Sequence, residues 1–219
     1  DTHYYGGIKK YQWVTLPLAI HGVVAKTNGD VVTVSIGEDK NDPVFCVTDL
    51  LIHLSQEQLK KRADSVIEGE QLDILFASKP IEGNEKEKEA VKAAVLELLE
   101  KKYDMKEEDF LSAELTLTPA AKARELGFDR SMIAAYGHDD RSCSFASLDA
   151  MLRLEEIPEY TAVCCLADKE EIGSEGTTGM QSILFLDLME ALSDSFGVPS
   201  SVVRAHSKCI SADVTAAYD

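Results

Sequence analysis

The sequence predicts an α/β protein that carries a β-rich segment in its first half. Residues 112–219 contain a long apolar run between two amphipathic helical patterns, over 142–154 and 179–197. Such an alternation of strand-like and helical segments is typical of α/β domains. Residues 22–111 instead contain a hairpin pattern, short apolar runs and two helical patterns. We therefore divide the chain into 1–21, 22–111 and 112–219, with the β-rich segment inserted into, or placed before, an α/β domain.

The first predicted elements are the two strands of a β-hairpin around Asn28-Gly29. Asn-Gly between β-branched runs predicts a two-residue turn, because both central residues must adopt a positive φ. After the turn, Val32, Val34 and Ile36 alternate with polar residues, so one face of the second strand should be buried.

A helix is predicted next, over residues 49–61, with Thr48 or Asp49 as its N-cap. Its leucines form an apolar stripe, and His53 lies beside that stripe. On the residue pattern alone, a lone histidine at such a place is interpreted as a structural residue. Residues 71–77 then alternate as a further strand.

The β-rich segment closes with a helix and a strand. Asn84 and Glu87 form a capping-box-like start for a helix over residues 89–102, whose apolar side chains fall on one face. Residues 112–118 alternate again and predict a strand that Pro119 closes.

Composition and charge exclude several classes of function. The chain has 219 residues, 45% of them hydrophobic, and a formal net charge of −17. So acidic a surface repels phosphate backbones, and we expect no nucleic-acid partner. No apolar run reaches the roughly 18 residues of a membrane span, so we expect no membrane partner. The five cysteines are scattered and show no CxxC spacing, which is typical of a reducing compartment and predicts a cytoplasmic protein.

Both ends of the chain suggest that it is part of a longer protein. It begins without Met and enters a Gly6-Gly7 turn and an apolar segment almost at once. It stops shortly after Asp213, with no closing element. We therefore expect a fragment.

Three acidic motifs occur in the second half, each where a loop meets a regular element: YGHDDR at 136–141, DKEEIG at 168–173 and ISAD at 210–213. The apolar run over 162–167 predicts a strand buried on both faces. Ligands bind at the carboxyl ends of such strands, and convergent carboxylates there suit the divalent metal of a hydrolase.

Each motif also has a plain structural explanation. The pair at 170–171 fits the acidic first turn of a helix, which the helix dipole favours. The Asp-Asp-Arg run at 139–141 fits a helix cap with an ion pair, and Asp213 could close a turn. A shared metal site explains all three motifs at once. The alternative requires a separate structural explanation to hold for each motif independently.

The segments AAYGHDDRSCSFASL, DKEEIGSEGTTGMQS and SKCISADVTAAYD closely resemble the three central motifs of the aspartyl aminopeptidase and aminopeptidase I family of dinuclear zinc aminopeptidases. GGIKKYQWVTLPLAIHGVV and FCVTDLLIHLSQEQ are similar to the branch of that family with GHDD. The resemblance runs from Tyr4 to the end. It implies a zinc-exopeptidase-like α/β/α sandwich, incomplete here, with an inserted dimerisation domain over 22–111 and a catalytic domain in 1–21 and 112–219.

The resemblance also implies roles for single residues. Asp139 matches the carboxylate that bridges two zinc ions, and Glu171 and Asp213 match the terminal ligands, one for each ion. Glu170 matches the general base that takes a proton from water and passes it to the leaving amine. The implied reaction is hydrolysis of the amino-terminal peptide bond of a peptide substrate.

Other residues take supporting roles by the same resemblance. Asp140 and Arg141 would support the bridging ligand without binding zinc. His53 matches a histidine that reaches into the active site of a neighbouring subunit, in a homo-oligomer of dimers that builds to a dodecamer. Two histidine zinc ligands of the family have no counterpart here. The fragment by itself is therefore expected to be inactive, and the alternative hypothesis is that it acts only as an oligomerisation module.

Overall fold

The computed structural model describes residues 2–82 and 88–215. These residues fall into two compact units. The first contains the residues up to Tyr4 together with Ile8–Ala134, and the second contains Tyr5–Gly7 and the residues from Ala135 onward. Every strand of the described residues lies in the first unit, whereas four of their five α-helices lie in the second.

A three-stranded antiparallel sheet, in the order β2-β1-β5, forms the centre of the first unit. Its strands are β1 (Leu18–Ala25), β2 (Val31–Ile36) and β5 (Ala113–Pro119). The predicted hairpin is confirmed, because β1 and β2 pair antiparallel from Ala25 opposite Val31 outward. The predicted two-residue turn is wrong: of Asn28 and Gly29 only Gly29 has a positive φ, +92°, and the turn is closed by the N–H of Gly29, which donates to the Lys26 carbonyl at 2.9 Å. The predicted strand over 112–118 is confirmed as β5.

The core of the first unit lies against one face of this sheet. The predicted alternation in β2 is confirmed, since Val34 and Ile36 are buried while the residues between them are exposed. Helix α1 (Ala90–Tyr103) confirms the predicted helix and buries Leu99 in the same core. The start predicted for it at Asn84 and Glu87 lies outside the described residues.

Two short ladders complete the strands of the first unit. β3 (Cys46–Val47) pairs with β4 (Ile74–Leu75), and β6 (Arg124–Leu126) pairs with β7 (Met132–Ala134). The strand predicted over 71–77 is thus only two residues long. A 3-10 helix over Gly69–Gln71 occupies its beginning.

The helix predicted over 49–61 is wrong. The segment forms turns and a single 3-10 helix, Gln58–Lys60. Asp49 Oδ1 accepts hydrogen bonds from the main chain of Leu50 and the side chain of Gln58, and Ser55 Oγ donates to the Ile52 carbonyl. Such local bonds compete with helical ones. The apolar stripe also stays exposed, so the packing that normally stabilises an amphipathic helix is missing.

The second unit consists of helices joined by extended segments. The helices are α2 (His138–Leu152), α3 (Glu171–Ser174), α4 (Leu184–Ser195) and α5 (Ser200–His206). Helices are confirmed at both predicted segments, as α2 and α4, but the predicted amphipathic character of α2 is wrong, since none of its residues is buried. The buried strand predicted over 162–167 is wrong, because this segment is extended, largely exposed and unpaired in any ladder. A strand needs a neighbouring strand for its main-chain hydrogen bonds, and the described part of the second unit contains none.

The boundary between the compact units does not coincide with the predicted division of the chain. The first unit extends to Ala134, and β1 crosses the division predicted at 21/22. In the part of the chain that the structure describes, no helix is long and apolar enough to cross a membrane.

Asp109 joins two loops of the first unit. Its buried carboxylate accepts the main-chain N–H of Lys106 at 2.8 Å and that of Thr27 at 2.9 Å. These hydrogen bonds hold the pKa of Asp109 below its ordinary value. The carboxylate therefore stabilises the fold above the ordinary pKa of about 3.9, and this contribution is lost as pH falls through the folded-state pKa.

We expect Asp109→Asn to lower the melting temperature of the chain at pH 7, because the amide offers one acceptor oxygen in place of two. The difference from wild type should shrink below about pH 4. Thermal unfolding followed by circular dichroism at several pH values measures it. Glu108→Gln, which changes an exposed neighbour, is the matched control. An equal deficit at pH 7 and pH 3 would contradict the assignment.

Candidate metal centre

The first acidic motif sits at the start of α2. Gly137 precedes the helix with a φ of +79°, a left-handed conformation that favours glycine. Asp139 has an extended ψ of 115°, so the regular part of the helix begins after it. The guanidinium of Arg141 lies over the ring of Tyr136, 5.9 Å from its centre.

The second motif lies on a loop that is closed at its base. The main-chain N–H of Asp168 donates to the Thr178 carbonyl at 3.3 Å, and the Thr178 hydroxyl donates to Asp168 Oδ2 at 3.1 Å. Glu170 precedes the short helix α3, and Glu171 is its first residue. The loop thus presents two consecutive carboxylates within a closed segment.

Tyr5 lies beside this loop within the second unit. Its hydroxyl donates a hydrogen bond to the main-chain carbonyl of Glu171, and the ammonium of Lys169 lies 5.6 Å from the centre of its ring. Loss of surrounding water and the nearby carboxylates, Glu171 first, raise the pKa of the Tyr5 hydroxyl.

Two of the three motifs form one group of carboxylates in the second unit, and the remaining motif lies close enough to interact with this group electrostatically. One carboxylate oxygen from each of Asp139, Asp140 and Asp213 lies within 4.8 Å of the others. Asp140 is half-buried and the other two are exposed. Residues from two distant parts of the chain therefore form one group of oxygen donors, which contains Asp140 but not the predicted ligand Glu171.

Repulsion between these carboxylates raises the pKa of two of them, Asp140 and Glu170. A hydrogen bond with Asp139, loss of water and the nearby Asp213 and Glu171 raise the pKa of Asp140. The pKa of Glu170 is raised by Glu171 first, then by loss of water and the three aspartates. All five acids are thus electrostatic neighbours, and a divalent cation among them would offset their repulsion.

The plain structural explanations hold only in part, since α2 begins at the first motif but has no side-chain cap hydrogen bond. Glu171 stands in the first turn of α3, and Asp139 and Asp140 stand in the first turn of α2, where the helix dipole favours acids. Asp213, however, lies on an extended segment, and its Oδ1 accepts only the adjacent N–H of Val214 among the described hydrogen bonds. Helix starts alone do not explain why Asp213 joins the aspartates of α2.

A comparison with protein families bears on the nature of this site. The sequence model of the aminopeptidase I zinc metalloproteases matches residues 1–219, the whole chain. The chain belongs to the aminopeptidase I zinc metalloprotease family. The relevant question for the aspartate group is therefore whether its donor atoms suit zinc.

Relatives of known sequence and structure agree with this family. A probable aminopeptidase 1 of the same family from Clostridium acetobutylicum is 52% identical over 100% of this chain and 48% of its own length. A crystal structure of aminopeptidase I from that organism matches with a TM-score of 0.87 over 100% of this chain and 47% of the other. An aminopeptidase structure from Thermotoga maritima, 43% identical, matches with a TM-score of 0.82, covering 93% of this chain and 44% of its own.

A more distant structure shares the fold alone. The Saccharomyces cerevisiae aminopeptidase 1, solved as a dodecamer, is 22% identical and matches with a TM-score of 0.64 over 98% of this chain and 48% of the other. The chain spans about half the length of the curated relatives it matches. The mixed α/β class predicted from the sequence is confirmed by the Clostridium and Thermotoga structures.

The donor set of this family member fits a divalent cation. Carboxylate oxygens are ligands that zinc accepts, although catalytic zinc sites also include nitrogen. The group found in the described residues contains oxygen donors only. The predicted ligand Glu171 is an electrostatic neighbour of this group, while Asp140, predicted only to support it, belongs to it directly.

His53 lies apart from these motifs in the chain and in a different compact unit. It occupies an exposed turn of the first unit, within the segment whose predicted helix does not form. The prediction that His53 reaches into the active site of a neighbouring subunit applies to an assembly of several chains, and it stays a prediction.

The sequence motifs missed two features of the site. Tyr5 is 166 residues from Glu171, and nothing in the pattern of either segment links them. The pairing of Asp168 with Thr178 was also missed, although a small hydroxyl residue ten positions after an aspartate is compatible with a closed loop.

We expect residues 1–219 by themselves to bind zinc weakly. Their carboxylates repel one another, and the nitrogen donor that a catalytic zinc site normally has is missing from the described group. Metal content after dialysis, measured by mass spectrometry, should fall well below one zinc per chain. A near-stoichiometric zinc content would contradict this expectation.

Proposed function

We propose that the complete protein, at the length of its relatives, is a zinc-dependent aminopeptidase that hydrolyses the amino-terminal peptide bond of peptides. The observation that carries the proposal is the convergence of the aspartates of α2 with Asp213, in a chain whose whole length matches the zinc metalloprotease family. The first and third acidic motifs share this carboxylate group, and Glu170 and Glu171 of the second motif are its electrostatic neighbours, an arrangement that suits a metal hydrolase.

In this proposal two zinc ions are held by three carboxylates of the chain. Asp139 would contribute to holding both ions and Glu171 and Asp213 would each hold one, with nitrogen ligands from histidines of the complete protein outside residues 1–219. The bound ions would polarise the scissile carbonyl and lower the pKa of water from 15.7 toward about 7.

Glu170 is the proposed general base. It stands next to a proposed ligand, and its carboxylate takes the proton of the attacking water and passes it to the departing amine. Asp140 is half-buried beside Asp139, with which it shares a hydrogen bond, so it fixes the orientation of the bridging carboxylate. Arg141, packed on Tyr136, adds positive charge at the same helix start.

The larger architecture is part of the proposal. We propose that residues 1–21 and 112–219 belong to a catalytic α/β/α sandwich and that residues 22–111 are an inserted dimerisation domain. The yeast structure of this fold is a dodecamer. We therefore propose a homo-oligomer in which dimers build a dodecamer, with a peptide as substrate and the cytoplasm as location.

A zinc-dependent activity assay tests the proposal. The complete protein, incubated with zinc, should release a chromogenic leaving group from a neutral aminoacyl substrate, and removal of zinc by a chelator should abolish this release. Activity that is unchanged by thorough zinc removal would overturn the proposal.

A second candidate function is that residues 1–219 act only as an oligomerisation module. Apolar side chains between Leu50 and Leu59 are more than half exposed in the first unit, as on a surface that another chain covers. Sedimentation of the chain, next to the same zinc assay, distinguishes the two: stable dimers without any zinc-dependent hydrolysis support the module.

A further inference from the structure

The loop that carries Glu170 and Glu171 is held in a conformation that its own residues disfavour. Lys169 has a φ of +61° and Ile172 has a φ of +53°, so a left-handed residue stands on each side of the glutamate pair. For a β-branched residue such as Ile172 this region is a genuine outlier. Residues of this kind persist only where the surrounding structure supports them.

The support comes from both ends of the loop. Asp168 and Thr178 close its base with one main-chain and one side-chain hydrogen bond, at 3.3 and 3.1 Å. Opposite this base, the Tyr5 hydroxyl donates to the carbonyl of Glu171, and its ring lies under the ammonium of Lys169. Tyr5 thus contacts the loop at both of the residues that flank Glu170.

The residue after Tyr5 reinforces this contact. A Cβ on Gly6 would lie 3.0 Å from both Cβ and Cγ of Glu171, and Gly6 has a φ of +74°. A side chain at this place would therefore push against the Glu171 side chain. Tyr5–Gly7 belongs to the second compact unit, although the residues on either side of it in the chain belong to the first.

We propose that Tyr5 is a positioning residue that fixes the Glu171 carboxylate for zinc binding through its hydrogen bond to the Glu171 main chain. This inference rests on the proposed function, because Glu171 is a zinc ligand only there. Tyr5 touches neither substrate nor metal; it acts by limiting the orientations of α3 and of the two glutamates. Groups that orient metal ligands contribute to metal affinity without being ligands.

The test is Tyr5→Phe in the complete protein, which removes the hydroxyl and keeps the ring. Groups that orient ligands change metal affinity by about 10- to 100-fold, and we expect about 10-fold because this contact is to the main chain. Zinc affinity is measured by competition with a chromogenic chelator. With excess zinc, kcat should return toward wild type while KM stays unchanged.

Tyr4→Phe is the matched control, because Tyr4 is the adjacent tyrosine, belongs to the first compact unit and lies near Lys10. It should leave zinc affinity unchanged. Circular dichroism of the zinc-free variants should match wild type, which separates positioning from a loss of folding.

The outcomes distinguish this inference from the proposed function. The positioning role is overturned if Tyr5→Phe binds zinc as tightly as wild type. It is also overturned if excess zinc does not relieve the kcat deficit of this variant. In both cases the proposed function stands. A wild-type protein that binds no zinc overturns the proposed function and this inference with it.

Discussion

Glu170→Gln in the complete protein is expected to leave zinc bound and to lower turnover by about 10²–10⁴-fold, the usual contribution of a general acid or base. The amide is nearly isosteric with the carboxylate but cannot accept the proton of water. Glu170 stands beside the proposed ligand Glu171, immediately before the first residue of α3. Steady-state turnover at saturating zinc and the zinc content per chain are the two measurements.

The matched control for this substitution is Glu175→Gln. Glu175 lies on the same closed loop and is exposed, but it does not belong to the group of convergent acids. Turnover and zinc content should both stay close to wild type in this control. If zinc content fell together with activity in Glu170→Gln, Glu170 would be a ligand, and the roles of the two glutamates would have to be exchanged.

His53→Ala in the complete protein is expected to lower kcat by about 10²–10³-fold, the cost of losing one hydrogen-bond donor to an oxyanion. His53 is exposed in the first compact unit, and the proposed oligomer brings it to the active site of a neighbouring subunit. There its imidazole would donate to the oxygen that gains charge as water attacks the carbonyl. Zinc content and folding should not change.

The arrangement between subunits allows a sharper experiment. Glu170→Gln and His53→Ala subunits, mixed after dissociation, should regain activity, because some sites then combine an intact Glu170 with a neighbour's intact His53. With equal random mixing in a symmetric oligomer, about a quarter of the sites meet both conditions. His3→Ala, another exposed histidine of the first unit, is the control and should remain active by itself. No recovery after confirmed subunit exchange would show that His53 acts within its own subunit or only packs.

Most of the elements that sequence reasoning predicted correctly depend on local interactions, although β5 was predicted from its alternation and pairs with β1, which is far away in the chain. The hairpin was predicted from Asn28-Gly29 between β-branched runs, although its turn differs from the predicted one, and α1 and α4 were predicted from helical periodicity. The two wrong elements each needed a partner surface. Residues 49–61 have no surface on which to pack their leucines, and residues 162–167 have no neighbouring strand within the described residues.

The candidate site divides in the same way. The acidic motifs, with Asp139, Glu170, Glu171 and Asp213 in them, and the family resemblance that gives them roles, could be read from the sequence, because motif residues are contiguous. The membership of Asp140 in the aspartate group and the contact of Tyr5 with Glu171 could not. Both depend on how α2, the closed loop and two extended segments fold together, and contacts between residues far apart in the chain leave no periodic or local signal in the sequence.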